Sequence, residues 1–290
     1  MFKKRFPLLI LFVVSAWIAG AQTRFGFKTG LNFARMSGPS ELNDAGAALE
    51  KWENVTGFHI GATVSHNFSD NFGLRGELLY SKKGARYTFE GQSYRIFNYS
   101  GGSTLTQGAA TYRININNAY LDLPLTAFVR LGDFELSAGV YAGLLLQSLG
   151  EGALQYQGNT VPLGNPTGEL KFLLDHNYRR DDPAGGDAGQ TVTAQVDART
   201  LELPRTLGAY YDLPEDKGAL YKTLDYGLTG GISYYLSRSM YANARLQYGL
   251  ADLTNNAADL SKARTDNGQL IFRDDQDRNF AIQVSIGFSF

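Results

Sequence analysis

The chain has 290 residues, with 27 Lys and Arg against 28 Asp and Glu, which offers nucleic acid no basic surface, and no cysteine, which excludes disulfides and thiolate metal centres. Glycine and aromatics are abundant, with 33 Gly, 17 Tyr and 18 Phe, yet no apolar run beyond residue 21 approaches the roughly 18 residues of a membrane helix. The mean hydropathy of −0.23 taken alone points to a soluble protein, but a sheet that meets lipid only at alternate residues and carries polar loops has the same average.

At the start of the chain, Lys3, Lys4 and Arg5 precede the apolar run Leu8 to Val14 and the small residues Ala19-Gly20-Ala21. This three-part pattern predicts a cleaved secretory signal over 1–21, leaving a mature domain over 22–290. Without those three basic residues the 27 become 24 against 28 acidic ones, a net charge of about −4.

Period-two alternation then recurs along the chain. Phe25, Phe27, Leu31 and Phe33 share one face, and Gly26, Lys28, Gly30 and Asn32 the other. A second strand is predicted over about 57–68, with Phe58, Ile60, Ala62 and Val64 on the apolar face, joined by Ser69-Asp70-Asn71 to a third over 72–81. After a long connection a fourth covers about 115–130, where Pro124 removes a ladder donor and predicts a bulge or a frayed bond. Leu131-Gly132-Asp133 turns into a fifth, Phe134 to Leu146. An insertion from about 150 to 220 predicts hairpin extensions or a small cap without a core of its own, since a structureless loop of that size is uncommon. Strands six and seven follow over about 221–236 and 240–250 around Ser237-Arg238-Ser239. In the last, Phe280, Ile282, Val284, Ile286, Phe288 and Phe290 alternate with small or polar residues.

Eight such strands, joined by connections that alternate long and short, predict an all-β fold: an eight-stranded antiparallel up-and-down transmembrane β-barrel with long extracellular loops. The three tight turns and both chain ends collect at the periplasmic rim. Phe280 to Phe290 is expected to pair with the first strand and close the sheet; resemblance to outer-membrane barrels, and not periodicity, implies an assembly role in which Phe290 is recognised by the insertion machinery. The polar faces carry Lys28, Arg75, Glu77, Asp122, Arg130, Glu135 and Arg245, a structural charged network expected to pair across the interior. Tyr80, Tyr226, Tyr234 and Tyr248 fall on lipid faces, where interfacial girdles form. For catalysis only His59, His66 and His176 are at hand, and neither G-x-S-x-G nor H-E-x-x-H occurs, so no enzyme activity and no catalytic residue is expected. Asp181, Asp182 and Asp187, and Asp274, Asp275 and Asp277, could bind Ca²⁺ or bridge lipopolysaccharide cations, but they lack the ordered EF-hand pattern and read as solvated loops, so neither metal nor cofactor is expected.

Three stretches resemble the PorT-like outer membrane beta-barrel proteins of Bacteroidetes: Gly26-Phe27-Lys28-Thr29-Gly30-Leu31-Asn32-Phe33; Tyr120-Leu121-Asp122-Leu123-Pro124-Leu125 followed by Ala138-Gly139-Val140-Tyr141-Ala142-Gly143; and Asp225-Tyr226-Gly227-Leu228. The resemblance implies an outer-membrane location and a barrel of eight strands, and makes Pro124 a family feature. The family's namesake is associated with type IX protein secretion, a role not carried over to this chain. The expected function is non-enzymatic, structural or surface-interacting through the outer loops, with a small channel or a component of a secretion or transport assembly as the alternative. Expected partners are outer-membrane lipid and lipopolysaccharide, the insertion machinery and an envelope protein of unknown identity.

Overall fold

The computed structural model describes residues 23–290, and the predicted leader over 1–21 lies outside the described residues. Among the described residues there are fourteen strands. They are β1 (Thr23–Ser37), β2 (Glu50–Glu53), β3 (Val55–Asn67), β4 (Phe72–Tyr99), β5 (Gly102–Leu131), β6 (Phe134–Thr160), β7 (Pro166–Asn177), β8 (Gly186–Val196), β9 (Arg199–Leu207), β10 (Leu224–Tyr235), β11 (Met240–Gly249), β12 (Leu260–Asp266), β13 (Gln269–Phe272) and β14 (Arg278–Ser289). Among the described residues no helix is long and apolar enough to cross a membrane.

The expected eight-stranded antiparallel up-and-down barrel is not what the chain forms. Twelve strands join in one sheet, and β12 and β13 pair separately. The sheet is mixed, because β7 and β9 run parallel at Leu173↔Thr206 and Leu174↔Leu207. It is ring-closed only in part. Pairing runs β10-β11-β14-β1-β3-β4-β5-β6 and returns from the first half of β6 to β10, while the second half of β6 pairs β7 and leads away to β9 and β8. The departure arises in segments read as loops: β4, β5 and β6 run for 28, 30 and 27 residues, far more than the 9–11 or so that cross a bilayer.

Two local devices mark where these strands leave the ring. Between Ala119 and Tyr120 the β5–β6 register shifts, so that Ala119 faces Gln147 and Tyr120 faces Leu145. The bulge inverts the inward parity of β6: Tyr141, Gly143 and Leu145 are buried before it, Ser148, Gly150, Leu154 and Tyr156 after it. Beside it on β4, Gly84 has φ +155, and a Cβ there would stand 2.0 Å from the Ile116 carbonyl oxygen, so only glycine fits. Pro124 produces no bulge. The β4–β5 ladder keeps its register from Gly76↔Leu125 to Leu79↔Asp122, and pairing lapses at Leu123 and Pro124.

Below these devices the ring carries an apolar outer belt. Phe27, Leu31, Ile60, Leu78, Leu125, Val140, Leu228, Leu246 and Val284 are all exposed, a continuous apolar surface that water does not tolerate and lipid does. Phe27 stacks on Phe288 at 4.8 Å across the β1–β14 seam, and Phe134 meets Tyr234 at 5.0 Å near the tight turns. Tyr226 and Tyr248 stand exposed at the opposite edge of the belt, and Tyr80 packs there against Phe58 at 5.9 Å.

Beyond the belt the strand extensions enclose a hydrophobic core. Phe89, Ile114, Leu154, Tyr156, Leu170, Phe172, Val196 and Leu207 are buried together. The 150–220 segment adds strands whose buried residues join those of β4 and β5 in this one shared core, and fully burying each such side chain stabilises by about 1.5–3 kcal/mol.

Candidate functional site

Inside the ring, three tiers of polar side chains lie above one another. Nearest the tight turns, Glu135 receives both terminal nitrogens of Arg75 at 2.7 and 2.9 Å and the Tyr235 hydroxyl at 2.8 Å, with Arg130 at 3.8 Å. In the middle tier Glu77 binds Lys28 at 2.8 Å and Arg245 at 2.9 Å. Arg245 also donates to Gln283, whose amide donates to Asn32 Oδ1, which the His59 ring meets at 2.7 Å. In the tier nearest the long connections Lys83 reaches Asp122 at 2.8 Å, and Asp225 accepts from Asn279 at 2.9 Å and Tyr141 at 3.2 Å.

The seven charged residues expected to line the interior thus sort into Lys28, Glu77 and Arg245 in one tier, Arg75, Arg130 and Glu135 in another, and Asp122 in the third. Sequence reasoning omitted Lys83, Asp225, Asn32 and Gln283. Lys83 lies past Ser81, the predicted end of its strand, while Asn32 and Gln283 are uncharged and were passed over. All members except Arg130 are at least nine-tenths buried. A charge this deep is tolerable only when paired and hydrogen-bonded. The tiers meet that condition by pairing their charges within the ring. Phe280, Ile282, Val284, Ile286, Phe288 and Phe290, the residues expected to serve closure and assembly, lie on or just past β14, which pairs β1 on one side and β11 on the other.

A second site stands beyond the belt. A cavity of about 130 Å³ is walled by β2, β4, β5, β6 and β7, the 207–213 segment and β12. Its lining is aromatic and charged: Trp52, Tyr94, Tyr112 and Tyr211, with Arg95, Lys262 and Arg273. Arg95 is buried, pairs Asp212 at 2.7 Å and lies 5.3 Å over the Phe172 ring, and its Nε has no hydrogen-bond partner. Lys262 places its ammonium 5.0 Å over Tyr87 and 5.9 Å over Tyr112. Tyr94 Oη donates to the Ser261 carbonyl at 2.8 Å, which ties the β12 strand to β4. Such a lining holds a ligand by ring faces and a few fixed charges.

His176 faces this cavity, while Asp175 is exposed on the opposite face of β7. The adjacent pair therefore makes no dyad. The His176 ring meets Tyr178 Oη at 3.1 Å, and burial, aided by Lys262, lowers its pKa to about 4, against a weaker upward pull from Asp181. Asp181 caps a turn, accepting from the Asn177 and Ala209 amides at 2.8 and 2.9 Å. Asp275 and Asp277 do converge, though with Asp259 in place of Asp274, which is exposed. Burial and mutual repulsion push Asp277 up to about 7 and Asp259 up to about 6.

An apolar belt around a ring filled with paired charge, with tight turns at one rim and built structure at the other, defines a β-sheet membrane protein. The chain belongs to the outer membrane protein beta-barrel domain family, whose profile matches residues 20–255, and it is an outer-membrane protein of a Gram-negative bacterium. No curated protein matches its sequence. Similar solved structures include the attachment invasion locus protein Ail of Yersinia pestis, at 10% identity over 93% of this chain and 99% of that one with a TM-score of 0.34. Neisserial surface protein A is similar at 11% identity over 92% and 97%, TM-score 0.31. The outer membrane protease OmpT of Escherichia coli matches at 8% over 94% and 98%, TM-score 0.32.

Proposed function

We propose that the protein is a non-enzymatic outer-membrane protein that makes surface contacts through its extramembrane part, with the ring as its anchor. The observation that carries this reading is the division of the molecule: the ring interior is filled by ion pairs, whereas the cavity and its aromatic lining lie beyond the belt. Lipid and lipopolysaccharide surround the belt in this reading, and the insertion machinery acts on the β14 region during assembly. Membership of the PorT-like family is part of the same proposal. It is supported by Tyr120, Asp122 and Asp225, which carry the resemblance and lie in one tier around Lys83, Tyr141 and Asn279.

The natural absence of cysteine allows a direct test. A single cysteine at Arg205, on the extramembrane part, should react with a membrane-impermeant maleimide on intact cells, and one at Asp70, in a tight turn, should react only after lysis. The reverse pattern would refute the surface role. Reconstituted in planar bilayers, the protein should show no unitary conductance; stable current steps would favour the small channel instead.

A further inference from the structure

We propose that Asp259, Asp275 and Asp277 form a binding site for a hard divalent cation, calcium by preference. One carboxylate oxygen from each lies within 4.8 Å of the others, the spread that ligands about 2.3–2.6 Å from a shared ion adopt. Three carboxylates alone would be an acidic cluster and no more. What points to a ligand is that two of their oxygens, Asp259 Oδ2 and Asp275 Oδ1, are buried without any hydrogen bond. Asp259 as a whole residue is 8% exposed, and the side chains of Asp259 and Asp275 are 11% and 10% exposed. A buried carboxylate oxygen left without a donor is destabilising, and a bound cation removes that penalty.

The charges within reach do not balance. Arg273 is the one cation in contact among the described residues. Its Nη2 is 2.5 Å from Asp275 and 2.7 Å from the Pro39 carbonyl, its Nη1 3.0 Å from Glu50, and its Nε 4.0 Å from Asp259. One guanidinium thus serves Glu50, Asp259 and Asp275, and Asp277 has only the Thr254 hydroxyl at 3.3 Å. Asp252 is already paired with Lys222 at 2.6 Å, and Lys262, over its two tyrosine rings, attracts Asp259 from further off. Space is held open by Gly38, where a Cβ would stand 1.9 Å from Asp277 Oδ1. The cation would staple the β11–β12 connection to the β13–β14 connection at the foot of the extramembrane part, whether or not the cavity takes a ligand. Asp259 stands 16 residues before Asp275, on a different connection from Asp275 and Asp277, so no single loop motif announces the three.

The test uses the full chain purified in detergent, stripped with a chelator and titrated calorimetrically with calcium or magnesium chloride alone. One saturable site is expected for at least one of the two ions, weakened tenfold or more in Asp259→Asn and in Asp275→Asn. Calcium should also slow proteolytic cleavage within 251–277 of the unmodified protein, and chelation should restore it. That arm holds if a variant fails to fold. Absence of saturable binding of both ions, undiminished binding by a folded Asp259→Asn/Asp275→Asn double variant, or cleavage indifferent to the bound ion would each overturn the site.

Discussion

Glu77 shows how much rests on single side chains in this fold. Its carboxylate holds Lys28 from β1 and Arg245 from β11, so it links strands that do not neighbour its own. In Glu77→Gln both cations remain buried and face a neutral amide. Breaking such a pair costs about 3–5 kcal/mol, and the variant is expected to lose its compact, heat-modifiable gel mobility at a lower temperature than the wild type. Adding Lys28→Met should recover part of the loss; a double variant less stable than the single one would contradict the pairing. The three members of this tier were legible in sequence because each sits opposite an apolar residue in a clean alternation. Of the proposed cation ligands, Asp275 and Asp277 stood together in the sequence and Asp259 did not. Asp259 and Asp277 are brought together only by the fold, and adjacency in sequence pointed instead to Asp274, which faces solvent.

At the scale of the element, the alternating membrane halves of the strands were readable and their extensions were not. On β6 the bulge after Leu145 inverts which residues face inward. A period-two reading therefore sees the strand stop where it merely changes phase. The polar outer faces of Gln155, Gln157 and Lys171 further disguise these segments as loop. β7 carries a consequence for pH. Buried His176 stays neutral, with a pKa near 4 against about 6.5 in the unfolded chain, and it faces Tyr178, with Lys262 and Asp181 as the nearby charges. Between those values the unfolded state binds the extra proton, so stability is complete above about 6.5 and declines as the pH falls toward 4. The decline amounts to at most about 3 kcal/mol. Thermal unfolding of the extramembrane part, followed between pH 7 and 4, should show it, and His176→Gln should flatten the dependence. An unchanged slope in that variant would assign the effect elsewhere.

For the molecule as a whole, the outer belt sets the environment. Leu228 is 52% exposed in the middle of β10, where an arginine would face hydrocarbon at a cost of about 2–4 kcal/mol. Leu228→Arg is expected to lower folding yield into lipid vesicles, whereas the equally conspicuous change Lys171→Glu on the extramembrane β7 should leave it unaltered. Equal yields for the two would count against the belt. The outer part has no linker: β4, β5 and β6 pass through the belt and continue as the walls of the cavity. Mechanically the protein is a mast. A load applied at its tip cannot be absorbed by a swivelling hinge and passes down the paired strands as shear, the direction in which a whole ladder of backbone hydrogen bonds must yield together. A partner held at the cavity would be gripped at a fixed height and a fixed angle to the cell surface.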